Sequence, residues 1–473
     1  MVQQNIDKII SNYLTKNFVF SEENLLATKL SLLDTLGCIY NASTYEDPMR
    51  FATRGEYGSN TNPFLVINDM QSSKEITRYL SILTRWFDYN DTFLAKEWAH
   101  PSDNIGTAFG YFFNHKDQNL SEFLQSIIQM YEIQGCLALG TSLNEKGYDH
   151  VFYVKLASGV VFSSLLSNQN EESISRTVNN ILQDGVNLRS YRQAPNVGKR
   201  KSWAAGDAAS RGIEIAEISE FPDNIYENIQ DDQIWGFNKV FLNDDILSFG
   251  KELDDWVIQN ILFKVLYPAE FHGQSAVEAS FQLSDLFHEK EKDIKEIIIE
   301  THEPALRIIS NKKELNNSSD RDHSLEYMVS AALIFKDLTS ETYSDNFHGL
   351  NQVNSLRKKI KVHENKDFTK NYYDIAKRHI SNEIYFKYND GSFSDKVKIE
   401  TPIGHPDRRF EAIPLLKDKF VHNVKNYFSD KKAENLWENI LQIDIKSGFK
   451  ELLNLLDNDY RHLSFSRRRS YKT

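Results

Sequence analysis

Apolar residues recur at helical spacing along most of the first 265 residues, and shorter stretches near 294 and 390 read as strands. Ser21 precedes Glu22 and Glu23, then Leu25, Leu26, Leu30, Leu33 and Leu36. This is the pattern of a capped amphipathic helix. Residues 119–136 and 151–167 read as further helices, the second apolar enough to be buried. Pro101-Ser102 reads as a loop turning into a helix whose first turn holds Asp103. From Ala204 to Ile218 the chain is rich in alanine, with Gly206 near the start, which predicts a helix packed closely on its neighbours.

The pattern changes after Pro268. Ser275–His288 reads as a helix, and Ile294–Thr301 as a strand. Glu383–Tyr388 and Asp395–Thr401 alternate on either side of Asn389-Asp390-Gly391, a strong hairpin signal. Helices are expected over Ser324–Leu338 and Asn365–His379, and 413–456 returns to helical spacing. The predicted fold is mainly α with an α+β insertion. Residues 1–267 and 407–473 would form one helical domain, and 268–406 a smaller domain set into it. No internal repeat or low-complexity tract interrupts this plan.

Composition narrows the function. A length of 473 residues with 40% hydrophobic content supports two ordinary domains. No apolar run approaches the ~18 residues of a membrane helix, and the first ten residues lack the order of a signal peptide. A cytoplasmic protein without membrane contact is expected. The net charge of −12 argues against a nucleic-acid partner; Arg467-Arg468-Arg469 reads as a solvated end. The two cysteines, Cys38 and Cys136, are too few for a disulfide framework or a protein-held iron–sulfur cluster and read as small core residues.

Candidate chemistry concentrates in residues 86–104. Asp88, Asp91, Thr92, Lys96, His100, Ser102 and Asp103 lie there among Trp86, Phe87, Phe93 and Trp98. Apolar walls around titratable groups move pKa values toward the working pH, as acid–base catalysis requires. A second anomaly is the basic island Arg189, Arg192, Lys199, Arg200 and Lys201, followed at once by a small-residue helix. In an acidic chain it suits a polyanionic metabolite, because guanidinium and ammonium groups grip carboxylates. A solvated basic loop is the plainer alternative. His150 precedes a buried helix, and His272 lies at the predicted domain junction; His302, His323 and His405 follow in or beside polar loops. Asp88, Asp91, His100 and His150 make only a weak metal signal, lacking a His-x-x-x-His pair or a cysteine cluster. No glycine-rich phosphate loop occurs, so cofactor-free chemistry is expected, with neither metal nor organic cofactor.

Several long segments together resemble the MmgE/PrpD family, and most closely its 2-methylcitrate dehydratase branch. They are Asp88-Tyr89-Asn90-Asp91-Thr92 through His100-Pro101-Ser102-Asp103-Asn104, Tyr131–Gly135, Arg189–Asn196, Arg200-Lys201-Ser202-Trp203-Ala204-Ala205-Gly206-Asp207, Tyr267–His272, Thr301-His302-Glu303 and Leu315–His323. The resemblance implies a helical domain with an α/β lid, a homodimer, and a site in the cleft between the two domains. It implies dehydration of 2-methylcitrate to 2-methyl-cis-aconitate in propionate catabolism, independent of an iron–sulfur cluster. Family active-site positions fall on Asp88, Thr92, His100, His150 and Lys201, with His272 as a further histidine. Gly404-His405-Pro406-Asp407-Arg408-Arg409 departs from the branch's arginine-rich run.

For such a reaction Lys201, assisted by Arg192 or Arg200, would neutralise the tricarboxylate beside the carbon that loses its proton. His100 and His150 are the acid and base candidates, in either order. Asp88 would orient one of them, Thr92 would bond the substrate, and Ser102 and Gln274 are further expected substrate contacts. Three rivals stand beside this reading: another lyase of the family such as a cis-aconitate decarboxylase, a tricarboxylate-binding protein without turnover, and a metal-dependent hydrolase.

Overall fold

The computed structural model describes residues 5–192, 196–223, 226–310 and 313–457. The Arg467–Arg469 run and residues 193–195 of the basic island lie outside them. The chain forms two compact units, Met1–Leu262 with Leu416–Thr473, and Phe263–Leu415.

The first unit is helical. Its central helix α1 (Glu22–Ser43) starts where Ser21 accepts a hydrogen bond from the Asn24 amide, the cap expected from the sequence. The amphipathic expectation differs from what is found, because from Ala27 to Ser43 nearly every side chain is buried. Neighbouring helices cover this helix on all sides, so its polar residues need partners inside the protein. Asp34 finds one in Lys419, at 2.7 Å. Around it stand α2 (Ser73–Arg85), α3 (Ile105–Phe112), α4 (Leu120–Gly140), α5 (Val151–Leu166) and α6 (Arg200–Ser219).

Helix α6 packs on both α2 and α5. The small residues permit this. A Cβ at Gly206 would lie 2.8 Å from the Arg78 carbonyl oxygen and 2.9 Å from the Ile82 amide nitrogen, inside contact distance of backbone that cannot move aside. The helix begins at Arg200 rather than Ala204, so Arg200 and Lys201 occupy its first turn. Among the described residues no helix is long and apolar enough to cross a membrane.

The second unit is α+β. Helix α7 (Gln274–Lys290) packs on α8 (Leu325–Phe335) and on a four-stranded sheet whose order is β2 (Ile360–Glu364), β1 (Ile294–Thr301), β3 (Asn382–Tyr388) and β4 (Val397–Ile399). Strand β1 (Ile294–Thr301) has the bounds expected from its pattern, and its Ile297 and Ile299 lie in the unit's core. It pairs antiparallel with β3 (Asn382–Tyr388), which pairs antiparallel with β4 (Val397–Ile399). Gly391, at φ +90°, supplies the left-handed residue the turn needs.

Strand β2 (Ile360–Glu364), parallel to β1, was not foreseen. It is an edge strand of sequence Ile-Lys-Val-His-Glu, whose polar half hides the alternation. The helix expected over Asn365–His379 is only α9 (Lys366–Tyr373), since the next residue, Asp374, is already extended. Helices α10 (Arg409–Val424), α11 (Asp430–Gln442) and α12 (Phe449–Asp457) complete the described chain.

Candidate active site

Residues 86–104 fold as a small hairpin fastened at three points. Phe93 and Ala99 exchange backbone hydrogen bonds of 2.8 and 3.2 Å, and Thr92 does the same with Leu262 at 2.9 and 2.7 Å. Pairing 93 with 99 brings the flanking residues 92 and 100 opposite each other. Hence Thr92 Oγ1 lies 3.1 Å from His100 Nδ1. The third fastening is buried Asp91, whose carboxylate accepts from the Ser102 amide (3.0 Å), the Ser102 hydroxyl (2.6 Å), Ser31 (2.9 Å) and Tyr131 (2.7 Å). Burial still pushes its pKa up, against those four bonds. Lys419 holds the loop from behind, donating 2.7 Å bonds to the Tyr89 carbonyl and to Asp34.

His100 Nδ1 is 2.9 Å from the Asp91 carbonyl oxygen, an atom that can only accept. Nδ1 therefore carries the hydrogen, and Nε2 is the reactive nitrogen. Asp88 Oδ1 stands 3.9 Å from that Nε2 and is also ion-paired with Arg85. Asp88 has φ +54°, a conformation that Asp tolerates better than most side chains. Arg85 Nε lies 3.7 Å from Asp103, whose carboxyl is pushed up to about 7 by burial, with Arg85 opposing and Asp91 adding to the rise.

His150 sits at the N-terminus of α5 with its ring centroid 5.7 Å from that of His100. Its Nδ1 faces Asp149 Oδ1 at 3.5 Å, and its buried Nε2 has no hydrogen-bond partner among the described residues. Burial holds its pKa well below the usual imidazole value; Asp149 opposes this, and Arg192, Arg85 and Arg189 reinforce it. Val151 packs with Ala204, Ala205 and Ala208, so the first turns of α5 and α6 lie side by side. That places the turn bearing Arg200 and Lys201 next to the His150 end of α5. The Arg200 guanidinium stacks 4.4 Å above the Trp203 ring and 5.2 Å from Tyr191.

Four residues singled out in the sequence have partners within the protein. Arg192 binds Asp149 through both Nε and Nη2. Ser102 spends its hydroxyl on Asp91 and accepts from Asn90 at 2.8 Å. In the second unit, Gln274 donates to the carbonyls of Ala269 (2.7 Å) and Tyr267 (3.2 Å), bracing the start of α7. Arg408 is paired with Glu278 at 2.8 Å and with Glu411 at 3.0 Å.

His272, also in the second unit, is buried between Glu270 Oε1, 2.8 Å from Nδ1, and the Tyr372 hydroxyl, 3.0 Å from Nε2. Burial alone would raise the Glu270 carboxyl, but His272, with His323 and Lys264, offsets it and the pKa falls. His302 stacks on Tyr372 at 4.6 Å and is held well below its ordinary pKa by burial and by His272.

Sequence reasoning missed Arg85 and Asp149. Arg85 had a usable signal, three residues before Asp88 at the end of a helix; Asp149 had only its place beside His150. Among the described residues no three His, Cys, Asp or Glu side chains form a metal-holding group.

The MmgE/PrpD N-terminal domain model matches residues 11–249, and the MmgE/PrpD C-terminal domain model matches residues 267–444. The chain belongs to the MmgE/PrpD family. Within this family it is similar to the 2-methylcitrate dehydratase of Escherichia coli K12, 38% identical over 86% of this chain and 87% of that protein. It is also 38% identical to the 2-methylcitrate dehydratase of Salmonella typhimurium over 91% of each chain. The probable 2-methylcitrate dehydratase of Saccharomyces cerevisiae is 34% identical over 97% of this chain and 92% of its own length. The family match spans both units, so the histidine pair and the Glu270-His272-Tyr372 cluster both lie within it.

Proposed function

We propose that this chain is a 2-methylcitrate dehydratase, a hydro-lyase that converts 2-methylcitrate to 2-methyl-cis-aconitate and water. One observation carries the reading. His150 is buried with Nδ1 turned to Asp149 and Nε2 without a partner among the described residues, and its ring lies 5.7 Å from that of His100, in a chain similar over most of its length to dehydratases of that name.

The reaction removes a proton from the carbon bearing the methyl group and a carboxylate. It expels the hydroxyl from the neighbouring carbon, and the C–H electrons become the new double bond. His150 is assigned as the base, because its neutral Nε2 is unengaged. His100 is assigned as the acid, because Asp88 stands ready to accompany a proton on its Nε2. Thr92 fixes the His100 ring and offers its hydroxyl to substrate. Lys201, with Arg200, supplies preorganised positive charge for the carboxylate next to the breaking C–H bond. His272 is proposed as a further catalytic residue with a smaller share than His100 and His150, because both of its nitrogens are already bonded.

This reading places the enzyme in propionate catabolism, in the cytoplasm, as a homodimer acting without an iron–sulfur cluster. It treats residues 268–406 as an α/β lid on a helical domain of residues 1–267 and 407–473. Purified protein given 2-methylcitrate should generate the absorbance of an unsaturated tricarboxylate, unaffected by chelator. Release of CO2 from cis-aconitate with no turnover of 2-methylcitrate would sink the proposal.

A further inference from the structure

The ion pair Asp149–Arg192 joins two segments 43 residues apart; its carboxylate is fully excluded from solvent and its guanidinium largely so. Asp149 also accepts from the Val151 amide at 3.1 Å, capping α5 directly beneath His150. Its Oδ1 is the acceptor that His150 Nδ1 faces. Both charges were removed from water, which is costly unless they do something together.

We infer that Asp149 and Arg192 are a positioning pair for His150, Asp149 fixing the ring with hydrogen on Nδ1 and Arg192 cancelling the charge that would otherwise protonate it. This rests on the dehydratase reading for its substrate and extends it to two residues that touch His150 rather than the tricarboxylate.

The logic is electrostatic. A carboxylate behind an imidazole orients it and selects its tautomer. Left alone it also raises the imidazole pKa, and a protonated His150 cannot take a proton from carbon. Arg192 withdraws that charge by binding both carboxylate oxygens, so orientation is kept without protonation. Other charged or titratable groups around His150 and its pair include Arg85, Arg189, the His100 ring, Tyr191 and Glu97. The two arginines favour the neutral form as well.

The test compares Arg192→Gln and Arg192→Lys in the full-length protein, with 2-methylcitrate as substrate. In Arg192→Gln the acidic limb of the kcat/KM profile should move up by about one pH unit, with KM within about threefold of wild type. Arg192→Lys should return the limb to its wild-type position. A KM raised about tenfold or more with the limb unmoved would mean that Arg192 grips substrate, and would overturn the inference. A limb and KM both unchanged would overturn it too.

If Arg192→Gln does not fold, the double variant Asp149→Asn/Arg192→Gln buries no unpaired charge. It should lose at least about 10²-fold in kcat at near-wild-type KM; a loss confined to KM counts against the pair. An NMR titration of the His150 ring in substrate-free protein separates this inference from the proposed function. Wild-type protein that fails to turn over 2-methylcitrate removes the dehydratase reading, whereas a His150 pKa that rises in Arg192→Gln still supports the pair.

Discussion

The two units each bury a histidine beside a carboxylate, but they finish the arrangement differently. In the helical unit, Asp149 faces Nδ1 of His150 and Nε2 is left without a partner among the described residues. In the α+β unit, Glu270 binds Nδ1 of His272 at 2.8 Å and the Tyr372 hydroxyl meets Nε2 at 3.0 Å. An imidazole with an open nitrogen can accept a proton at once. One that is bonded at both ends must first break a hydrogen bond or pass the proton through its neighbour. The contrast teaches that burial next to a carboxylate does not by itself make a catalytic histidine; the state of the second nitrogen decides what the ring can do.

The strongest way to break this comparison is to remove the two histidines of the helical unit. His150→Ala and His100→Ala should each cost about 10²–10⁴-fold in kcat with modest change in KM, measured by steady-state turnover of 2-methylcitrate. Turnover within a few-fold of wild type in both would end the acid–base assignment. Next in size, Lys201→Ala should reduce kcat/KM by about 10²-fold, read across citrate and 2-methylcitrate. Unchanged kinetics on both would take Lys201 out of the site.

The closed ring is tested by Tyr372→Phe, which removes the hydroxyl facing Nε2 of His272 while keeping the aromatic stack. A change in kcat of about tenfold or less is expected, below the range for a lost proton-transfer group. A loss as large as that of His150→Ala would show that Tyr372 relays the proton and that the two units' histidines are equivalent.

The smallest effect on turnover concerns Asp103, whose folded pKa is about 7 against an ordinary carboxyl value of about 4. The folded state thus holds a proton that the unfolded chain releases. The stabilisation is complete below about pH 4 and is lost as pH rises toward 7. Asp103→Asn should flatten that part of the melting temperature profile relative to wild type. Identical slopes between pH 4 and 7 would contradict the raised pKa.

Legibility in the sequence followed how local each signal is. Strand β1 and the Asn389-Asp390-Gly391 turn were readable because alternation and a left-handed glycine are properties of a few adjacent residues. Strand β2 was not, because its pairing with β1 is set by residues about sixty positions away and its own composition is half polar. The same rule held at the site. Asp88, Thr92 and His100 share one hairpin and announced themselves as a cluster. Arg192 showed its charge but not its partner, and a guanidinium looks the same whether it awaits a substrate carboxylate or already holds Asp149. All-round burial of α1 was hidden too, since its Asp34 is neutralised from residue 419.

That last contact bears on how the protein is made. Lys419 clasps the Tyr89 carbonyl from 330 residues downstream, two positions before Asp91 and three before Thr92. A nascent chain that has released residues 1–262 from the ribosome has both His100 and His150, yet lacks the cation that bonds the Tyr89 carbonyl in the His100 loop and pairs with Asp34. The α+β unit is synthesised in the interval. The contacts that Lys419 makes with Asp34 and Tyr89 can therefore form only after translation has passed through the α+β unit.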